Sequence, residues 1–129
     1  MPLRHHDLCF GCGPANLFGL QMELERLDDG SVAGRFFVKQ DHQGPPGQAH
    51  AGILAAALAE VMSLAAGEGR LTGLEVDLLA PAPLGAFVRV EARVEREGDD
   101  GVRIAARALG EAEDAPELAR ASGRMVGPR

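Results

Sequence analysis

Between Ala51 and Ala66 the chain carries a single charge, Glu60, in a run otherwise made of apolar and small residues. Alanine and leucine, which dominate it, are strong helix formers, and the run is too long for a typical strand. Gly44-Pro45-Pro46-Gly47 in front of it cannot be regular structure, and Gly67 and Gly69 close it. A helix that is apolar nearly all round must be surrounded by protein rather than lie on a surface. It is also shorter than the ~20 apolar residues that cross a bilayer. The chain must therefore supply something that wraps a helix.

The flanking sequence supplies strands. Leu20 to Glu25 alternates with the period of two, Asp28-Asp29-Gly30 marks a hairpin turn, and Val32 to Val38 follows. After the helix, alternation returns at Leu74 to Leu78, Val88 to Val94 and Val102 to Ala108. Gly98-Asp99-Asp100-Gly101 makes a turn, and a last strand covers roughly Leu118 to Val126 after an acidic loop near Glu111 to Pro116. The reading is an α+β fold with one long buried helix wrapped by an antiparallel sheet of about six strands. A single domain over residues 1–129 is expected, with residues 1–19 an irregular N-terminal segment. One small sheet does not enclose such a helix, so a symmetric partner subunit is expected to help cover it. The net charge of −6 argues against a nucleic-acid or anionic-membrane surface. The N-terminal residues lack the apolar core of a signal peptide, and a cytoplasmic location is the expectation.

Chemistry concentrates at the start of the helix. None of the preferred side-chain caps stands at Ala49, His50 or Ala51, so the first-turn N–H groups are open to an anion or a developing oxyanion, with Gly52 permitting close approach. The plainer alternative is that water or a neighbouring carbonyl satisfies them. Glu60 is costly inside an apolar helix unless it is paired, protonated or facing a wet cleft. It is therefore read either as a base or nucleophile, or as a structural carboxylate bonded at an interface. His42 and His50 bracket the Gly-Pro loop and are general-base candidates or loop-fixing groups. Asp41 and Gln43, beside His42, are placed to orient a water or are simply solvated.

Cys9 and Cys12 have the Cys-x-x-Cys spacing, and with His5 and His6 they offer four metal donors. A lone pair set among Gly11, Gly13 and Pro14 also fits buried structural cysteines. That is the preferred reading here, with no metal and no cofactor expected; zinc or redox chemistry is the alternative.

The segments Cys9-Phe10-Gly11-Cys12-Gly13-Pro14-Ala15-Asn16-Leu17-Phe18-Gly19-Leu20, His42-Gln43-Gly44-Pro45-Pro46-Gly47-Gln48-Ala49-His50-Ala51-Gly52 and Leu78-Leu79-Ala80-Pro81-Ala82-Pro83-Leu84-Gly85 occur in this order. Together they resemble the hotdog-fold thioesterase superfamily, specifically its phenylacetic-acid-degradation-type (PaaI-like) branch. The resemblance implies a long helix wrapped by an antiparallel sheet, a homodimer often assembled as a tetramer, and acyl-CoA bound between subunits. It implies that the Gly52 N–H polarises the thioester carbonyl and that a carboxylate from the partner's helix acts as base or nucleophile. That carboxylate falls on Ala59 in this chain, with Glu60 next to it, and Ala51 replaces the first glycine of a His-Gly-Gly motif. Thr72 lies one residue from where the branch carries a strand threonine. The expectation is hydrolysis of a small- or medium-chain, or aryl, acyl-CoA. Gly52, Glu60, His42 and Asp41 are the catalytic candidates, and Gln43, Gly44, His50, Ala51, Ala59 and Ser63 line the substrate. Ala59 favours the alternative, a non-catalytic acyl-CoA or small-acyl binding protein.

Overall fold

In the computed structural model, which describes residues 2–127, seven strands form one antiparallel sheet against a single long helix. The elements are β1 (Pro2–Leu3), β2 (Glu23–Arg26), β3 (Val32–Phe37), α1 (Ala51–Ala66), β4 (Arg70–Leu78), β5 (Phe87–Gly98), β6 (Gly101–Gly110) and β7 (Glu117–Val126). In space the strands run β1-β2-β3-β5-β6-β7-β4. The sheet thus opens between β3 and β4 in sequence, and α1 crosses its face there before the chain returns at the far edge. This is the wrapped-helix arrangement expected from the sequence. The strand beyond the expected six is β1, two residues from the segment read as irregular, paired to β2 through Pro2↔Glu25 and Leu3↔Leu24.

Alternation works as anticipated in the central strands. Val88, Val90 and Ala92 of β5, Ile104, Ala106 and Ala108 of β6, and Ala121 and Met125 of β7 point inward and are buried. Many of these are small, which lets the helix lie close. Gly123 of β7 shows how close, since a Cβ there would stand 2.7 Å from the Met62 sulfur. The helix answers with Leu54, Ala57, Leu58, Val61, Met62 and Ala65, the three-and-four spacing of one helical face. Phe36, 1% exposed, fills the sheet side of the same core.

One expectation is corrected. Leu20 to Glu25 was read as one strand, yet β2 begins only at Glu23. Gln21 has φ +49°, a left-handed conformation that breaks the extended chain although Leu20 and Met22 stay buried. Instead, the Leu20 and Met22 N–H groups donate to the Phe10 and Gly11 carbonyls (2.7 and 2.9 Å), fastening the Cys9–Cys12 loop to the core. The single sheet, as its small size implies, does not enclose α1. Its outer face, Ala55, Ala56, Ala59 and Ser63, is only half-buried in the protomer.

No helix among the described residues is long and apolar enough to cross a membrane. Because Phe36 joins the sheet to the helix core, Phe36→Ala is expected to cost about 3–5 kcal/mol, read as a lowered urea midpoint at unchanged slope.

Candidate active site

The loop before α1 is built to hold the first helical turn in one place. A short 3-10 turn, Gln40–His42, follows β3, and the chain then folds back on itself. Gln43 bridges Ala49, the Gly44 N–H donates to the Gln48 carbonyl (2.9 Å), and the Gln43 side-chain oxygen accepts the Gly47 N–H (2.9 Å). Gly44 is required by contact rather than by dihedral, since a Cβ there would stand 2.7 Å from the His50 Cα. The loop closes when the His50 N–H donates to the His42 carbonyl at 2.8 Å.

His42 is the inner anchor. Its ring is 2% exposed, and Nδ1 accepts the Lys39 N–H at 3.1 Å. The ring proton therefore sits on Nε2, which has no hydrogen-bond partner at bonding geometry. Burial pushes the ring's pKa below its ordinary value, only partly opposed by the Gly19 backbone. A buried, neutral ring cannot reach a solvent-side water. Its burial and its bonds to Lys39 and His50 tie His42 to the loop rather than to solvent.

His50 corrects a second expectation. It is the N-cap of α1, and its Nδ1 accepts the Gly52 N–H at 2.8 Å. Histidine does not rank among the usual caps, but Nδ1 stands as many bonds from Cα as the side-chain oxygen of asparagine and reaches the same N–H. The Gly52 donor is thus occupied, by an exposed ring on a single side-chain rotation rather than by backbone. A Cβ at Gly52 would stand 3.0 Å from that Nδ1, so the glycine leaves room for the ring.

Along α1, at 100° per residue, Ala59 and Ser63 fall within about 20° of Gly52, whereas Glu60 is rotated by about 80° and lies about 12 Å further along the axis. Within one protomer the structure gathers Asp41, His42, Gln43, Gly44, His50, Ala51 and Gly52, with Asp41 exposed on the 3-10 turn. It sets Ala59 and Ser63 on the same stripe and turns Glu60 away.

Glu60 faces the N-terminal loop. Its side chain is 11% exposed and bonds His5 Nδ1 through Oε2 at 2.7 Å, while the Cys9 thiol donates to the same oxygen at 3.4 Å. A Cβ at Gly11 would stand 2.5 Å from the Glu60 carboxyl carbon, so the loop lies directly on this carboxylate. Burial pushes the Cys12 thiol up to about 12, and Glu60 adds to the rise. This assembly of His5, Cys9, Cys12 and Glu60 was not joined in the sequence reading, although each signal was visible: a Cys-x-x-Cys pair and one charge in an apolar helix. An open recess of about 700 Å³, bordered by Cys12, runs along Pro2–Arg4, Gln21–Glu25 and Ala33–Arg35 and includes none of the helix-start residues.

The chain is similar in fold to solved thioesterase structures. It matches a thioesterase superfamily protein at 26% identity and TM-score 0.82 over 88% of this chain, and spans only 60% of that protein's length. A phenylacetic acid degradation-related protein from Ralstonia eutropha JMP134 matches at 24% identity and TM-score 0.71, covering 83% of this chain and 86% of that one. A hypothetical thioesterase protein from Streptococcus pneumoniae TIGR4, solved with coenzyme A, matches at 17% identity and TM-score 0.69, covering 84% of this chain and 88% of that one. The sequence matches no family model and no curated protein. The chain carries the hotdog fold of the thioesterase superfamily.

The buried His42 makes a testable contribution to stability. Its folded pKa is depressed, so the unfolded chain binds the proton more tightly, and stability is lost as pH falls below the ordinary value of about 6.5. Urea midpoints measured from pH 7.5 down to 5 are expected to fall in wild type. They should fall less steeply in His42→Asn, which keeps an acceptor for the Lys39 N–H; an equally steep fall contradicts the assignment.

Proposed function

We propose that this chain is a subunit of an acyl-CoA thioesterase, binding its substrate's thioester carbonyl at the Gly52 N–H. What carries the reading is the helix start itself. A buried anchor, His42, and a tightly closed loop fix a first-turn donor whose acceptor is the ring of exposed His50. An incoming carbonyl oxygen replaces the ring, and the donor then strengthens its bond as negative charge develops on that oxygen. The coenzyme A in a structure of the same fold supports the choice of thioester.

The resemblance assigns water activation to a carboxylate. Glu60 is engaged by His5 and Cys9, and Ala59, on the Gly52 stripe, has none to offer. Asp41 remains: it is exposed, forms no ion pair among the described residues, and adjoins the residue whose carbonyl holds His50. On this reading Asp41→Asn lowers kcat by about 10²–10⁴-fold, the usual worth of a general base. Gly52→Pro deletes the donor at a first-turn position where helices accept proline, and lowers kcat by about 10²–10³-fold. Thiol release from a panel of short, medium and aryl acyl-CoAs is the measurement. Saturable binding without thiol release overturns hydrolysis and supports the second reading, a non-catalytic acyl-CoA binding protein, which Ala59 favours. No binding to any member overturns both.

The assembly proposed is a homodimer, with a tetramer as a further step. Supporting it are the half-covered small-residue face of α1 and the outer edge strand β4, where Leu74 and Leu78 are 42% and 53% exposed. The double variant Leu74→Arg, Leu78→Arg is expected to shift the mass by light scattering from dimer or tetramer to monomer. A wild-type protein already monomeric contradicts the assembly.

A further inference from the structure

We infer that His5, Cys9, Cys12 and Glu60 form a tetrahedral site for a divalent metal ion, with zinc the expected occupant, which fastens the N-terminal loop to α1. One donor atom from each of the four side chains lies within 4.8 Å of all the others. Zinc–sulfur, zinc–nitrogen and zinc–oxygen bonds of about 2.0–2.3 Å put tetrahedral donors roughly 3.3–3.8 Å apart. Cys9 Sγ to His5 Nδ1 is 3.8 Å, Cys12 Sγ to His5 Nδ1 is 3.7 Å, and Cys9 Sγ to Glu60 Oε2 is 3.4 Å. His5 Nδ1 to Glu60 Oε2 is shorter, at 2.7 Å, the length of a direct hydrogen bond that the ion would open.

The surroundings have the features of a metal knuckle. The two cysteines, with two residues between them, sit on a tight turn closed by the Gly13 N–H donating to the Cys9 carbonyl at 2.9 Å. The His5 N–H points at the Cys12 sulfur at 3.1 Å, where it stabilises a thiolate. The mixed sulfur, nitrogen and oxygen set in tetrahedral array selects zinc over calcium or magnesium, which prefer more numerous oxygens. His6 is not a ligand: its Nδ1 takes the Leu8 N–H at 3.2 Å on the exposed side of the loop. Binding converts both thiols to thiolates and frees the His5–Glu60 hydrogen bond, with the displaced protons going to solvent. A ligand role accounts for the one charge in the apolar run and for Gly11, whose missing side chain lets the loop settle on that carboxylate.

The full chain, purified without chelator, is expected to contain about one zinc per chain by elemental mass spectrometry. Cobalt(II) added to chelator-stripped protein should give the strong visible bands of tetrahedral coordination and the near-ultraviolet bands of thiolate ligation. Cys9→Ser and Cys12→Ser should abolish the thiolate bands, Glu60→Gln should weaken affinity about 10–100-fold or more, and His6→Ala should change nothing. Because a cysteine variant can fail to fold, the cobalt spectrum of wild type stands as the independent readout. Wild type that takes up neither zinc nor cobalt stoichiometrically, octahedral cobalt bands without thiolate bands, or a Cys9–Cys12 disulfide in the native protein would each overturn the site. None of these results depends on whether acyl-CoA is bound or cleaved.

Discussion

Everything in this structure depends on keeping one apolar helix against one sheet. Burying α1 requires small residues on the facing strands, and Ala92, Ala106, Ala108, Ala121 and Gly123 provide them. Close approach fixes the helix in rotation as well as position, because its buried face meets a closely packed surface rather than a loose one. That rotation decides the chemistry. It places Gly52, Ala59 and Ser63 on the outward stripe and sends Glu60 toward the N-terminal loop. A helix free to roll by one residue, about 100°, would exchange these roles.

The helix start is set by a second, smaller device. His42 is held inside as a neutral ring, and its carbonyl takes the N–H of His50, whose own ring covers the Gly52 donor. Packing, loop closure and capping therefore meet at two histidines that the sequence presents only as flanks of a Gly-Pro loop. On the proposed reading, the Gly52 donor is prepared but covered. A ligand must offer a better acceptor than an exposed imidazole, and a carbonyl oxygen gaining negative charge is such an acceptor.

Much of this was legible beforehand. Helix limits, the central strands and the wrapped arrangement follow from periodicity and from glycine and proline punctuation, because burial enforces those patterns over many residues. What escaped depends on single atoms or distant pairs. Gln21 breaks a strand through one backbone angle, and His50 caps through a ring nitrogen that cap preferences do not count. The pairing of Glu60 with His5 and Cys9 joins chain segments brought together only by the fold. The lone charge in the helix was visible at once; which neighbour it faces was not, since one residue's rotation separates the two answers.

The most direct test of the proposed substrate site is the amide resonance of Gly52 during titration with a non-hydrolysable acyl-CoA analogue that keeps the carbonyl. The account predicts a large, saturable shift at Gly52, accompanied by a change in the His50 ring signals as the cap is displaced. Saturable binding that leaves Gly52 and His50 unmoved, with shifts confined to another surface, would contradict it.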